Sequence, residues 1–352
     1  MHRITVYSSF VCFNCSMINF AFNRLNLTGV MEFAESAARA EDLGWDMGLI
    51  PCNPLSLRDP YVSLAFAAKA TSTMHLGSLL DTPMLRHASV LAGSIATVAS
   101  VAPGRVHMGI GIGDTAVRFN GLRPSTVREL ELSTVMMKKL LAGQELEVGA
   151  MRPAKLRRAN YAPVWIAAQG PKTLRMAGRV ADGVWIRLGR HPDNLNMAWG
   201  AVCEGAREAG RNPNDLMLGL IFHTVYSTDP VKAKLMAKSM AAGYYEYSPF
   251  LFDRLGFEWS GEDVHLLRDK AWPDFHHHID PVYSGSLVDF LDDSVADAFA
   301  FYGDWEQIAG QLQSVLDIGL PVTHVLPHPI LAKTHEYDFL GECATQLMPH
   351  FR

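Results

Sequence analysis

Short apolar runs alternate with amphipathic stretches along almost the whole chain, and this rhythm constrains the fold more than any single motif. Residues 4–7, 45–50, 75–80, 105–110, 163–168, 183–187, 216–223 and 322–326 read as strands. Between them lie helical patterns. The first carries Val30, Phe33, Ala34, Ala37 and Ala38 on one face, with Gly44 just past its end. Asp59-Pro60 supplies an N-cap and a first-turn proline for a helix over 61–70. Further helices are expected over 87–101, 126–141, 172–180, 194–208, 231–241 and 305–318. A doubly wound sheet also alternates in this way, but eight strands with helices between them match a closed (β/α)8 barrel better. The fold class expected is therefore α/β, with residues 1–352 forming a single barrel domain.

Two segments break the rhythm. Residues 113–123 are polar and glycine-rich, and residues 244–293 are long, aromatic and rich in histidine. Both follow strands, so both belong at the C-terminal face, where barrel active sites are built. The longer one is expected to be a substrate lid, with Tyr244, Tyr245, Phe250, Trp259 and Trp272 excluding water.

Composition excludes several classes. With 49% hydrophobic and 19% charged residues the chain can fill a large core, so it is not disordered. The 31 Lys+Arg against 36 Asp+Glu leave a net charge of −5 and no basic run, which argues against nucleic acid. The longest uncharged stretch, 88–104, is interrupted by Ser94, Thr97, Ser100 and Pro103. It falls short of the ~20 apolar residues of a membrane span and reads as a buried helix. No secretory leader is read at residues 1–9, and five cysteines do not make a disulfide scaffold. A cytoplasmic enzyme is the expectation.

The chemistry-bearing motifs are individually modest. Gly109-Ile110-Gly111-Ile112-Gly113-Asp114 fails the dinucleotide fingerprint, because Asp114 stands where the third glycine would be. Its small residues would let a flat ligand approach the strand end, with Asp114 pointing into the mouth; a plain turn with Asp114 as a cap is the alternative. Ala167-Ala168-Gln169-Gly170-Pro171-Lys172-Thr173 ends a strand in small residues and opens a helix whose free amides suit a phosphate, or is simply a tight turn. Cys12-Phe13-Asn14-Cys15 lacks a second ligand pair for zinc and reads as incidental. Adjacent His276, His277 and His278 cannot all face one ion, so a solvated or substrate-facing loop is expected, and no metal. Arg86-His87 opens a helix and could touch an anionic ligand. No nucleophile elbow is present.

Taken in order, several segments resemble the luciferase-like flavin and deazaflavin oxidoreductases. They are Asp59-Pro60-Tyr61-Val62, Leu76-Gly77 through Thr82-Pro83 to Arg86-His87, Gly104-Arg105-Val106 through Asp114 to Arg118, Gly121-Leu122-Arg123-Pro124, Pro163 through Leu174, and Ala181-Asp182-Gly183. The ordered match covers roughly residues 30–230. The type most similar is the F420-dependent methylenetetrahydromethanopterin reductase.

The resemblance implies a TIM barrel, often dimeric, holding coenzyme F420 or, alternatively, FMN at its C-terminal mouth. It implies a non-prolyl cis peptide at Leu79-Leu80. It also implies that Cys52, Ser78, Leu79 and Leu80 lie at the ring, and that Ala168, Gln169, Gly170, Pro171 and Lys172 hold the phosphate-bearing tail. Asp114 would be the acid/base, with His87 second. Relatives commonly carry Asp where Cys52 stands, which counts against transferring an acid there. Residues 8–27 have no counterpart in the pattern.

The leading expectation is hydride transfer from reduced F420 to a C=N, C=C or C=O bond of a small organic substrate. A two-component FMN-dependent monooxygenase, fed by a separate reductase, is the sister reading. A non-catalytic flavin- or partner-binding relative comes third, favoured by Cys52. A metal-dependent hydrolase is the outsider.

Overall fold

Strand ends and helix starts fall close to where the alternation puts them. The computed structural model describes residues 18–25, 27, 29–330 and 338–352. The first half runs β1 (Asn19–Asn23), α1 (Met31–Asp42), β2 (Met47–Ile50), α2 (Pro60–Ala70), β3 (His75–Ser78), α3 (Ala88–Val101) and β4 (Val106–Ile110). Short α4 (Thr115–Phe119) and long α5 (Val127–Leu141) follow, then β5 (Val164–Ala168), α6 (Pro171–Val180), β6 (Gly183–Ile186), α7 (Pro192–Glu208) and β7 (Met217–Tyr226). The expected caps form: Asp59 accepts from the amides of Tyr61 and Val62, and Thr126 with Glu129 closes a capping box at α5.

The second half departs more from expectation. Helix α8 (Pro230–Tyr247) runs past residue 241, so Tyr244 and Tyr245 are helical. The segment 244–293 then folds into α9 (Phe250–Leu255), α10 (Val264–Lys270) and α11 (Pro281–Ser286) rather than a loop. Helix α12 (Asp293–Phe299), the unexpected three-residue β8 (Phe301–Gly303), α13 (Trp305–Leu316) and β9 (Val322–Ile330) complete the barrel.

All strand pairings are parallel. β1 pairs with β2 on one side and β9 on the other, while β7 pairs with β6 and β9. The ring β1 to β7 plus β9 therefore closes as a (β/α)8 barrel. β8 attaches to the far end of β7 at Thr224–Tyr226. One correction follows at the start of the ring. The first barrel strand is Asn19–Asn23, inside the stretch that had no expected counterpart. The expected strand at 4–7 lies outside the described residues, as does Cys12-x-x-Cys15.

Because side chains alternate across a strand, each strand sends every second residue inward. Trp165 and Trp185 meet in the interior, ring centroids 5.1 Å apart and nearly parallel. Each faces a glycine on the next strand: Trp165 pairs with Gly183, and Trp185 with Gly219. The Trp165 indole donates to His107 Nδ1 at 3.1 Å, so His107 Nε2 carries the proton that reaches His75 Nδ1 at 2.8 Å. Burial keeps these imidazoles neutral, with His75 pushed down to about 4. This floor leaves the next inward residues to line the mouth above it.

Candidate active site

By the same alternation, the inward residues above the floor are Asn23 on β1, Leu79 after β3, Gly111 after β4, Gln169 after β5, Arg187 after β6, His223 on β7 and His328 on β9. Two unlike sides result. β3 and β7 stand diametrically opposed in the ring of eight.

The β3 side is apolar and heavily braced. The Leu79-Leu80 peptide is cis, at the bond the resemblance implies. Around it, Cys52 N donates to the Leu80 carbonyl at 3.2 Å, and Asn23 Nδ2 donates to the Leu79 carbonyl at 3.3 Å. Asp81, fully buried, accepts from Tyr61 OH at 2.9 Å and from the Thr82 amide at 2.7 Å. Burial pushes the Cys52 thiol above its ordinary range, and the Asp81 charge adds to that, so Cys52 stays a protonated thiol. Arg86 pairs with Asp59 and sits over the Tyr61 ring. Cys52 thus steadies the rim as a hydrogen-bond donor and offers no acid.

The glycines after β4 have a different role from the one their sequence suggests. A Cβ on Gly109 would collide with the Ser78 carbonyl oxygen, and one on Gly111 would press within 3.1 Å of Leu80 Cδ2. Their missing side chains make room for β3. Ser78 faces away from the mouth, its hydroxyl exchanging hydrogen bonds with the Gly109 amide and carbonyl at 3.0 and 2.9 Å. Ala168 likewise faces the helices, in the outer core.

Gln169 points inward and donates to the Arg187 carbonyl at 3.0 Å, tying the ends of β5 and β6 together. Gly170 is the N-cap of α6, with no side-chain cap and open space where a Cβ would stand. Pro171 occupies the first turn, Lys172 is exposed beside it, and the amides there lack side-chain partners. Asp114 stands half-exposed before α4, paired with Arg118, and its charge reaches Tyr247 of α8. His87 caps α3, its Nδ1 accepting from the Ser89 amide at 3.3 Å.

The β7 side is polar and covered by the segment after α8. His276 packs against His223 with ring centroids 4.4 Å apart, Tyr244 lies 5.4 Å from His223, and His328 lies 5.8 Å from it. His276 Nε2 meets the Met240 carbonyl at 3.0 Å and must donate to it. The tract His276–His278 divides three ways: His276 is buried, His277 bonds Asp274 at 2.8 Å near the surface, and His278 bonds the Asp280 carbonyl. Burial opposes ionisation of Asp274, but His277 and the Tyr247 hydroxyl hold its pKa below the usual range. Burial and the neighbouring Asp274 raise Glu246 to about 7.

Among the described residues no group of three His, Cys, Asp or Glu could hold a metal ion, and no helix is long and apolar enough to cross a membrane. The sequence reading missed Asp81, Tyr61, Asn23, Arg187, His223 and His328. Period-two counting from Trp185, Ile221 and Leu326 is the signal that finds the last three.

Comparison with known proteins bears on this mouth. A model of the family described as luciferase-like monooxygenase matches residues 17–320. The chain is 29% identical over 301 residues to a 5,10-methylenetetrahydromethanopterin reductase of Methanolobus tindarius, covering 83% of this chain and 88% of that one. It is 29% identical over 238 residues to an F420-dependent glucose-6-phosphate dehydrogenase of Nakamurella multipartita, covering 61% and 69%. The solved coenzyme F420-dependent tetrahydromethanopterin reductase of Methanopyrus kandleri superposes with a TM-score of 0.75 at 22% identity, over 96% of this chain and all of that one.

Proposed function

Because the chain belongs to the luciferase-like monooxygenase family, we propose that it is an F420-dependent oxidoreductase that transfers hydride between the deazaflavin and a small organic molecule at the barrel mouth. The observation that carries this is the extent of the similarity. The match to the M. tindarius reductase spans most of the chain, and the N. multipartita relative is named as F420-dependent.

The mouth fits such a coenzyme. Leu79 and Leu80 form an apolar wall for a flat ring, and the uncapped start of α6 offers free amides beside Lys172 and Thr173 for a phosphate. When bound, the coenzyme supplies the hydride chemistry. The chain's own residues orient and enclose. Cys52, Asn23 and Asp81 hold the Leu79-Leu80 wall in position. Asp114, paired with Arg118, places a carboxylate on the rim for proton transfer. Helix α8 and the segment up to residue 293 act as the lid that excludes water.

The same reading has the protein act in the cytoplasm as a homodimer, with reduced F420 delivered by a separate reductase. Free buried Cys52, Cys203 and Cys343 suit a reducing compartment. Val62 and Phe66 on α2, with Val90 and Val101 on α3, leave an exposed apolar face that a second copy would cover. A solution mass of one protomer would sink the dimer.

The function is tested by titrating purified protein with F420 and FMN, oxidised and reduced, following cofactor fluorescence. Saturable F420 binding with no FMN affinity is the expected result. Preference for reduced FMN would move the chemistry to the monooxygenase reading, and binding of neither would overturn the proposal.

A further inference from the structure

Half-buried arginines in this fold have acceptors, with one exception. Arg86 pairs with Asp59, Arg179 with Glu131, Arg190 with Asp297 and Arg268 with Glu246. Arg105 donates to the carbonyls of Ala68, Thr71 and Met74, and Arg211 to those of Gly178 and Ala181. Arg187 is also half-buried, yet among the described residues its guanidinium has no carboxylate within 4.0 Å and makes no hydrogen bond. Only its main-chain carbonyl is engaged, by Gln169.

Its position is specific. Ile186 pairs with Leu220, and His223 with His328, so β6, β7 and β9 bring Arg187, His223 and His328 to one stretch of rim above Trp185. His276 closes over this stretch from the lid. The imidazole Nδ1 atoms of His223 and His276 are both wholly enclosed and without a partner, in residues 1% and 8% exposed. Leaving buried polar atoms unpaired costs about 1–3 kcal/mol each, so these atoms beside an unpaired cation mark a place built for something further. His223 Nδ1 is free to carry a proton, whereas His276, whose Nε2 donates to Met240, presents a lone pair at Nδ1 and calls for a donor on the ligand. Of the carboxyl groups nearby, Asp274 is committed to His277 and Tyr247 and Asp114 to Arg118, while Glu246 faces Arg268 at 3.8 Å with its buried Oε2 unpaired, and none lies within 4.0 Å of Arg187. A planar guanidinium with free N–H groups matches the two oxygens of a carboxylate or phosphate.

We propose that Arg187, with His223 and His328 beside it, is the receptor for an oxyanion of the substrate, which is therefore a carboxylate- or phosphate-bearing molecule. The assignment to substrate rests on the reading of this mouth as the site of an F420-dependent oxidoreductase. It anchors the molecule on the side of the mouth opposite Leu79-Leu80, leaving its reducible bond free to lie against that wall.

The test uses the full chain with inorganic phosphate and acetate as probes, read by thermal shift at constant ionic strength. F420 and a deazaflavin lacking the phosphate tail are titrated in parallel. Wild-type protein is expected to be stabilised saturably by a probe. Arg187→Gln should weaken that by at least tenfold, Arg187→Lys should restore part of it, and affinity for both deazaflavins should stay unchanged. Equal probe binding by wild type and Arg187→Gln would overturn the receptor. Loss of F420 affinity with retained tail-less deazaflavin binding would overturn the assignment to substrate, because the oxyanion would be the coenzyme's own. Failure of F420 to bind wild type would instead overturn the cofactor reading, with the probe arm still readable.

Discussion

Replacing Gly183 by alanine tests whether the barrel floor is as tightly locked as its geometry implies. Gly183 has no positive φ, so on backbone grounds alone alanine in a strand should gain about 0.5–1 kcal/mol. The structure predicts the opposite sign. A Cβ there would stand 2.5, 2.6 and 2.8 Å from Cδ2, Cε3 and Cε2 of Trp165. Ordinary carbon contacts need roughly 3.5 Å or more, so the indole must retreat by about 1 Å.

It has nowhere to go. Trp185 stacks on Trp165 at 5.1 Å, His324 meets it edge-on at 5.1 Å, and its Nε1 is bonded to His107. Overpacking costs about 1–3 kcal/mol, and breaking the buried indole–imidazole bond adds about 1–3 kcal/mol. Less the backbone gain, a net loss of about 1–5 kcal/mol is expected, read from urea unfolding by far-UV circular dichroism. The cycle with Trp165→Leu isolates the cause: in that background Gly183→Ala should be nearly neutral, so the coupling should equal nearly the whole wild-type loss, about 1–5 kcal/mol. A loss below about 1 kcal/mol in wild type, or the same loss in both backgrounds, would refute the reasoning.

Two further outcomes follow from the site. Asp59→Ala removes the acceptor for the Tyr61 and Val62 amides at 2.9 and 3.1 Å and the partner of Arg86. It should cost about 1–2 kcal/mol, while Asp59→Asn keeps the cap and should lose less; equal losses would deny the cap its role. Glu246 is raised to about 7 by burial and Asp274, so its protonated form is the one the fold favours. Its contribution to stability is full below its unfolded pKa, near 4.5, and is lost as pH rises toward 7. Glu246→Gln should flatten the stability profile across that window; an unchanged slope between pH 4.5 and 7 would remove Glu246 as its source.

Most of the barrel was readable because buried parallel strands are continuous apolar runs bounded by caps and glycines. The exceptions have physical reasons. The first strand, Asn19-Phe20-Ala21-Phe22-Asn23, is flanked and ended by asparagines, so residues 4–7 gave the stronger apolar signal. The last strand, read over 322–326, continues through Pro327 and Pro329, residues that ordinarily argue against a central strand. In the barrel, β9 pairs with β1 only as far as Val325, so both prolines fall where that edge has no ladder bonds to lose. That truncation hid His328 and with it one side of the mouth.

The candidate site was legible only in part, and for a related reason. Motif reading found the strand ends and loops after β4 and β5, where glycines cluster. Two of those glycines, Gly109 and Gly111, are explained by the approach of β3. Inward polar residues carry no local signature: Arg187, His223 and His328 look like interruptions of apolar runs until the alternation is counted upward from the interior tryptophans. A polar residue that continues the inward register of a buried strand, past the last apolar layer, must either find partners or face a ligand. On β1, Asn23 donates to Leu79 yet leaves its buried carbonyl oxygen unpaired. On β5, Gln169 is spent on a neighbouring carbonyl. Arg187 alone of the three brings a full charge to the rim and leaves it unmatched among the described residues.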